Sequence, residues 1–114
     1  MGKYEELRRE YMKRKQKYAE VIPDLMPGIG KMTMAIAETD ILDIKTMEMI
    51  FVACAIARHC EPCIATHVKG FYDAGGTREE LVAVIGVTVV MGGGPEANYA
   101  STALEAYDEL LAEE

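Results

Sequence analysis

Cys60-Glu61-Pro62-Cys63, with His67 four residues further on, is the part of this chain best equipped for chemistry. Helix positions three and four apart share a face, so Cys60, Cys63 and His67 would project together. Pro62 suits the first turn of a helix, where its missing N–H is harmless. A helix start carries partial positive charge and unpaired N–H groups, and both favour thiolate over thiol. A histidine one turn on can take or return the proton a thiol loses on becoming a nucleophile. In a reducing compartment this spacing means redox chemistry or metal. The metal reading uses Cys60, Cys63 and His67 as three zinc ligands and draws a fourth from Glu48, His59 or Cys54. A structural zinc site ordinarily brings a second tight ligand pair, which is missing here, so the redox reading leads. His59 lacks the spacing to both sulfurs and is expected at the surface or beside the site. Cys54 shares a stripe with Met47 and Ile50 and is expected to be a small buried apolar residue.

The elements that must hold these residues read as helices. Tyr4, Leu7, Tyr11, Tyr18 and Ile22 recur near heptad spacing, which predicts one amphipathic helix over residues 3–22. Pro23 and Pro27-Gly28 are expected to break it, with a shorter helix from about Ile29 to Glu38. Asp43 can cap a third helix running toward Arg58. The helix whose first turn holds Pro62 should end at Gly75-Gly76. Thr77-Arg78-Glu79-Glu80 is a capping-box pattern, the clearest helix start in the chain. The Val82–Val90 segment after it is rich in β-branched residues and could be a strand on propensity alone. With no partner strand elsewhere its backbone would go unsatisfied, so the cap decides for helix. Gly92-Gly93-Gly94-Pro95 ends that helix and begins the last, with a stripe of Ala97, Ala100, Leu104, Tyr107 and Leu111. A helix apolar nearly all round, as residues 81–91 are, needs cover on every side, and a homo-oligomer would supply it.

Length and charge narrow the class further. The 114 residues make one domain, 1–114, with an N-terminal helix over 1–22 ahead of a core of about 23–114. The longest uncharged run, Leu81 to Pro95, is 15 residues and contains four glycines. A bilayer span needs about 20 apolar residues, so no membrane partner is expected. The charged N-terminus has no signal-peptide pattern, which points to a cytoplasmic protein. Net charge is −7, rising to +3 over residues 1–20 and falling to −8 over residues 71–114. An acidic body repels phosphate backbones, so nucleic acid is not an expected partner. Three cysteines, an odd number, argue against a disulfide scaffold.

The Cys-x-x-Cys of a thioredoxin follows a strand, and none precedes Cys60, which leaves an all-helical dithiol. Glu48, then eleven residues, then Cys60-x-x-Cys63-x-x-x-His67 resembles the signature of the alkylhydroperoxidase D-like branch of the carboxymuconolactone decarboxylase family. The resemblance runs over about residues 40–105, through Gly75-Gly76-Thr77 and Gly92-Gly93. It implies an all-α bundle of about six helices assembled as a trimer or hexamer. It also implies a thiol-dependent peroxidase or disulfide oxidoreductase, with a hydroperoxide substrate, a thiol or dithiol reductant, and neither cofactor nor metal. In that carry-over Cys63 attacks peroxide, Cys60 closes the disulfide, and His67 with Glu48 forms the proton relay. The residues themselves agree on Cys63, the cysteine one turn from His67. Glu48 is implied by the resemblance alone. Along one continuous helix it would lie about 18 Å from Cys60, and only a chain reversal near residues 59–61 brings it back. Pro62 stands where some relatives carry a histidine, so any role of that histidine is vacant. Two alternatives remain: a decarboxylase-like lyase of the same fold, and a non-catalytic oligomer with structural zinc.

Overall fold

The computed structural model describes residues 2–114 and has, among them, six helices and no strand. They are α1 (Lys3–Val21), α2 (Leu25–Glu38), α3 (Ile44–Ala57), α4 (Glu61–Asp73), α5 (Arg78–Gly92) and α6 (Gly94–Ala112). The all-α expectation holds. Local chemistry sets the starts. The Asp43 carboxylate accepts the Thr46 N–H at 2.7 Å and caps α3. At α5 the Thr77 hydroxyl accepts the Glu80 N–H, and the Glu80 carboxylate accepts the Thr77 N–H. That reciprocal cap prevails over β propensity, and Val82–Val90 is helical throughout. Gly93, at φ 75°, serves as the left-handed joint between α5 and α6.

α2 departs from expectation by starting at Leu25. Pro27 is then its third residue, where a backbone N–H has no partner inside the helix, so the ring is accommodated. Helical bonding resumes at the next residue, with Gly28 donating to the Asp24 carbonyl.

The core lies where α3, α4, α5 and α6 meet. Val52 and Ile56 of α3, Ile64, Val68 and Phe71 of α4, and Leu81 of α5 are fully buried. Side chains of this size contribute about 2 kcal/mol each on burial. α6 buries Ala100, Ala103, Ala106, Tyr107 and Leu110, whereas the expected Ala97 and Leu111 are exposed. Its alanines let the helix approach α4 closely, and that contact rotates the expected stripe. The buried Tyr107 hydroxyl donates to the Gly76 carbonyl at 2.7 Å, tying the α4–α5 turn to α6. Tyr4 anchors α1, its hydroxyl donating to Glu105 at 3.1 Å. Burial first, and Glu105 second, push the Tyr4 phenol up to about 12, so it remains a protonated donor at ordinary pH. Tyr18 and Ile22, further along the same stripe, are exposed.

Two apolar surfaces are left over. α2 packs on α1 and buries no residue of its own. α5 turns Leu81, Val84 and Thr88 inward and leaves Val82, Val87, Val90 and Met91 exposed. Among the described residues no helix is long and apolar enough to cross a membrane.

Candidate functional site

The site depends on the reversal between α3 and α4. His59 adopts a left-handed backbone at φ 55°, and its N–H bonds to the Ile56 carbonyl while that of Cys60 bonds to Ala55. The chain doubles back there, and Glu48 of α3 comes to lie beside His67 of α4. The Glu48 Oε2 to His67 Nδ1 distance is 2.9 Å. Both side chains are half-sheltered. Phe51, three residues beyond Glu48, stacks on the imidazole with centroids 4.5 Å apart. An ionised carboxylate can only accept, so Nδ1 carries the proton and Nε2 is the nitrogen left to exchange one.

Cys60 is the N-cap of α4, with Glu61 and Pro62 as the first helical residues. It is joined to Cys63 by a disulfide, with the two Cα atoms 5.2 Å apart. Its Sγ accepts the Cys63 N–H at 3.3 Å. The helix-start donors therefore address Cys60 first. Cys63 packs against the core and precedes His67 by one helical turn. The two sulfurs are thus differentiated: one is capped by backbone, the other stands on the face of the histidine.

His59 is exposed beside the site, as expected, yet it is not free. Its Nε2 lies 2.8 Å from Glu96 Oε1 and its ring stacks on Tyr99 at 4.4 Å. Glu96 and Tyr99 form a pair three apart on α6, and nothing local in the sequence marks them as partners of a residue 37 positions away. Cys54 corrects the expectation of burial: it is exposed. α3 turns Val52, Ala55 and Ile56 inward, and Cys54 falls on the opposite side, lining a shallow cavity with Val87 and Met91. A cavity of about 840 Å³ lies against Glu48 and is lined also by Leu42, Ile44, Met47 and Gly70. Neither Cys60, Cys63 nor His67 lines it. Among the described residues no group of three or more His, Cys, Asp or Glu side chains is arranged to hold a metal ion.

Comparison with known proteins converges on one family. The model of the carboxymuconolactone decarboxylase family matches residues 23–106. An uncharacterised protein of Cupriavidus necator is 34% identical over 90 residues, which are 79% of this chain and 80% of that one. An uncharacterised protein encoded in the cox locus of Paracoccus denitrificans is 38% identical over 69 residues, 60% of this chain and 62% of that protein. The crystal structure of an apo carboxymuconolactone decarboxylase family protein from Legionella pneumophila superposes with a TM-score of 0.88 at 36% identity. That superposition covers 94% of this chain and 96% of the other. The chain belongs to the carboxymuconolactone decarboxylase family, as its resemblance to the alkylhydroperoxidase D-like branch implies.

Proposed function

We propose that the protein is a thiol-dependent peroxidase working through Cys60 and Cys63, with a hydroperoxide as substrate and a thiol or dithiol as reductant. The observation that carries this reading is the Glu48–His67 pair, at 2.9 Å, which joins α3 to the helix whose N-cap and first turn hold the dithiol. In the reduced protein His67 takes the Cys63 proton, and the thiolate attacks the terminal peroxide oxygen. The O–O bond breaks, the departing alkoxide takes the proton back from His67, and Cys63 is left as sulfenic acid. The Cys60 thiolate then attacks the Cys63 sulfur and the S–O bond breaks. The leaving hydroxide takes up the proton that Cys60 released on ionising and departs as water. Hydroperoxide and two thiols give alcohol, water and one disulfide. A reductant dithiol restores the starting state by exchange and is itself oxidised. Glu48 keeps the imidazole in one tautomer and supports its charged form.

Mass spectrometry of the reduced protein before and after one equivalent of hydroperoxide tests this directly. The expected result is loss of two hydrogens per chain, confined to the peptide holding Cys60 and Cys63, with Cys54 still a thiol. Oxidation spread over all three cysteines, or none, would refute the peroxidase. The family also contains decarboxylases, and an inert dithiol would return attention to a lyase of the same fold.

We also propose that the working form is a closed homo-oligomer, a trimer or hexamer. Support comes from the uncovered apolar residues Leu25, Ile29, Met32 and Ile36 of α2 and Val82, Val87, Val90 and Met91 of α5. Surfaces of this extent are seldom left in water. Light scattering at neutral pH should give a mass of at least three chains; a monomer in dilute solution sinks the proposal.

A further inference from the structure

Gly70 lies in the interior of α4, where glycine is less favourable than alanine and no unusual backbone angle calls for it. Its reason is steric. A Cβ built there would stand 2.6 Å from both the carboxyl carbon and Oε2 of Glu48, and 2.8 Å from Oε1. By contrast Gly86, inside α5, faces open space. The Glu48 carboxylate therefore occupies a notch that only a missing side chain provides. From that notch the same Oε2 reaches His67 Nδ1. His67 and Gly70 are three apart on α4, so notch and ring share a face. Phe51 stacks on the ring from α3.

We propose that Gly70 is a positioning residue: its missing Cβ seats the Glu48 carboxylate against His67 and so sets the tautomer of the imidazole. Its catalytic consequence rests on the peroxidase reading above; its structural content does not. A larger residue at 70 meets the far end of a flexible side chain, so Glu48 swings away and the helix persists.

The test compares the wild type with Gly70→Ala, Glu48→Ala and the double variant. The ring tautomer is read by long-range ¹H–¹⁵N NMR of neutral His67, and the rate by hydroperoxide-driven thiol loss. The wild type should show the Nδ1–H form. Gly70→Ala should melt no lower than the wild type, lose that signature and slow about tenfold at neutral pH, to the level of Glu48→Ala. Adding Gly70→Ala to Glu48→Ala should change neither readout, because the vacated space accepts the methyl group. A Gly70→Ala protein that keeps the Nδ1–H form, or a double variant with a further loss, overturns the proposal. Should Gly70→Ala fail to fold, a folded double variant assigns the clash to the carboxylate, and an unfolded one refutes it. A wild type inert to hydroperoxide would defeat the peroxidase while the NMR comparison still decides the role of Gly70.

Discussion

Replacing Cys63 by serine is expected to abolish the rapid reaction with hydroperoxide, whereas Cys60→Ser should react once and stop at a sulfenic acid on Cys63. Two physical effects favour different sulfurs. Cys60 is the N-cap of α4 and accepts the Cys63 N–H at 3.3 Å. A hydrogen bond to a charged group contributes about 1.5–3 kcal/mol, so this cap favours a Cys60 thiolate. Cys63 stands one turn from His67, and positioned acid–base catalysis contributes about 10²–10⁴-fold, or roughly 3–5 kcal/mol. The relay is the larger effect, so Cys63 is the expected nucleophile. The cap then has its own use, since an ionised Cys60 is the form that closes the disulfide. In Cys60→Ser a sulfenic acid trap should label Cys63 at one equivalent per chain, formed at close to the wild-type rate. Cys63→Ser should be slower by about 10²-fold or more. Trapped sulfenic acid on Cys60 in Cys63→Ser, at an undiminished rate, would show that the cap outweighs the relay and would reverse the roles.

What could be read from the sequence was what the sequence encodes locally. Asp43, the Thr77/Glu80 box and Pro62 each act within one turn, and each helix start they predict is where it was expected. The spacing of Cys60, Cys63 and His67 is equally local. Glu48 was legible only through family resemblance, because its approach to His67 depends on a reversal at His59. A left-handed histidine carries no signal that propensity can detect. The His59–Glu96 pair was hidden for the same reason, its partners being joined by tertiary packing alone. Cys54 was misjudged because α3 is apolar over more than one face, and only contact with its neighbours decides which face is buried. In α6 the expected stripe shared Ala100 and Tyr107 with the core, which otherwise selected Ala103, Ala106 and Leu110. Gly70 reads as an unremarkable glycine until the carboxylate that fills its notch is seen.

His67→Ala should separate the two uses of the imidazole by their dependence on pH. A thiol of ordinary pKa, about 8.5, is only about 3% ionised at pH 7, so a base that removes the proton can gain about 30-fold. Protonating the departing alkoxide adds a further factor, and the two together fall within the usual range for acid–base catalysis. At pH 7 the variant should therefore react about 100-fold more slowly than the wild type. By pH 9 most of an ordinary thiol is ionised unaided, and the deficit should shrink to about tenfold or less. Glu48→Gln keeps an acceptor near Nδ1 but removes the charge that supports the imidazolium, so it should lose about tenfold at pH 7 and recover along the same course. The Glu48 Oε2 contact at 2.9 Å and the Phe51 stack at 4.5 Å make the ring a fixed part of the helix face. A deficit of equal size at pH 7 and pH 9 would mean that His67 supports the fold of α4 and moves no proton, and the relay would have to be abandoned.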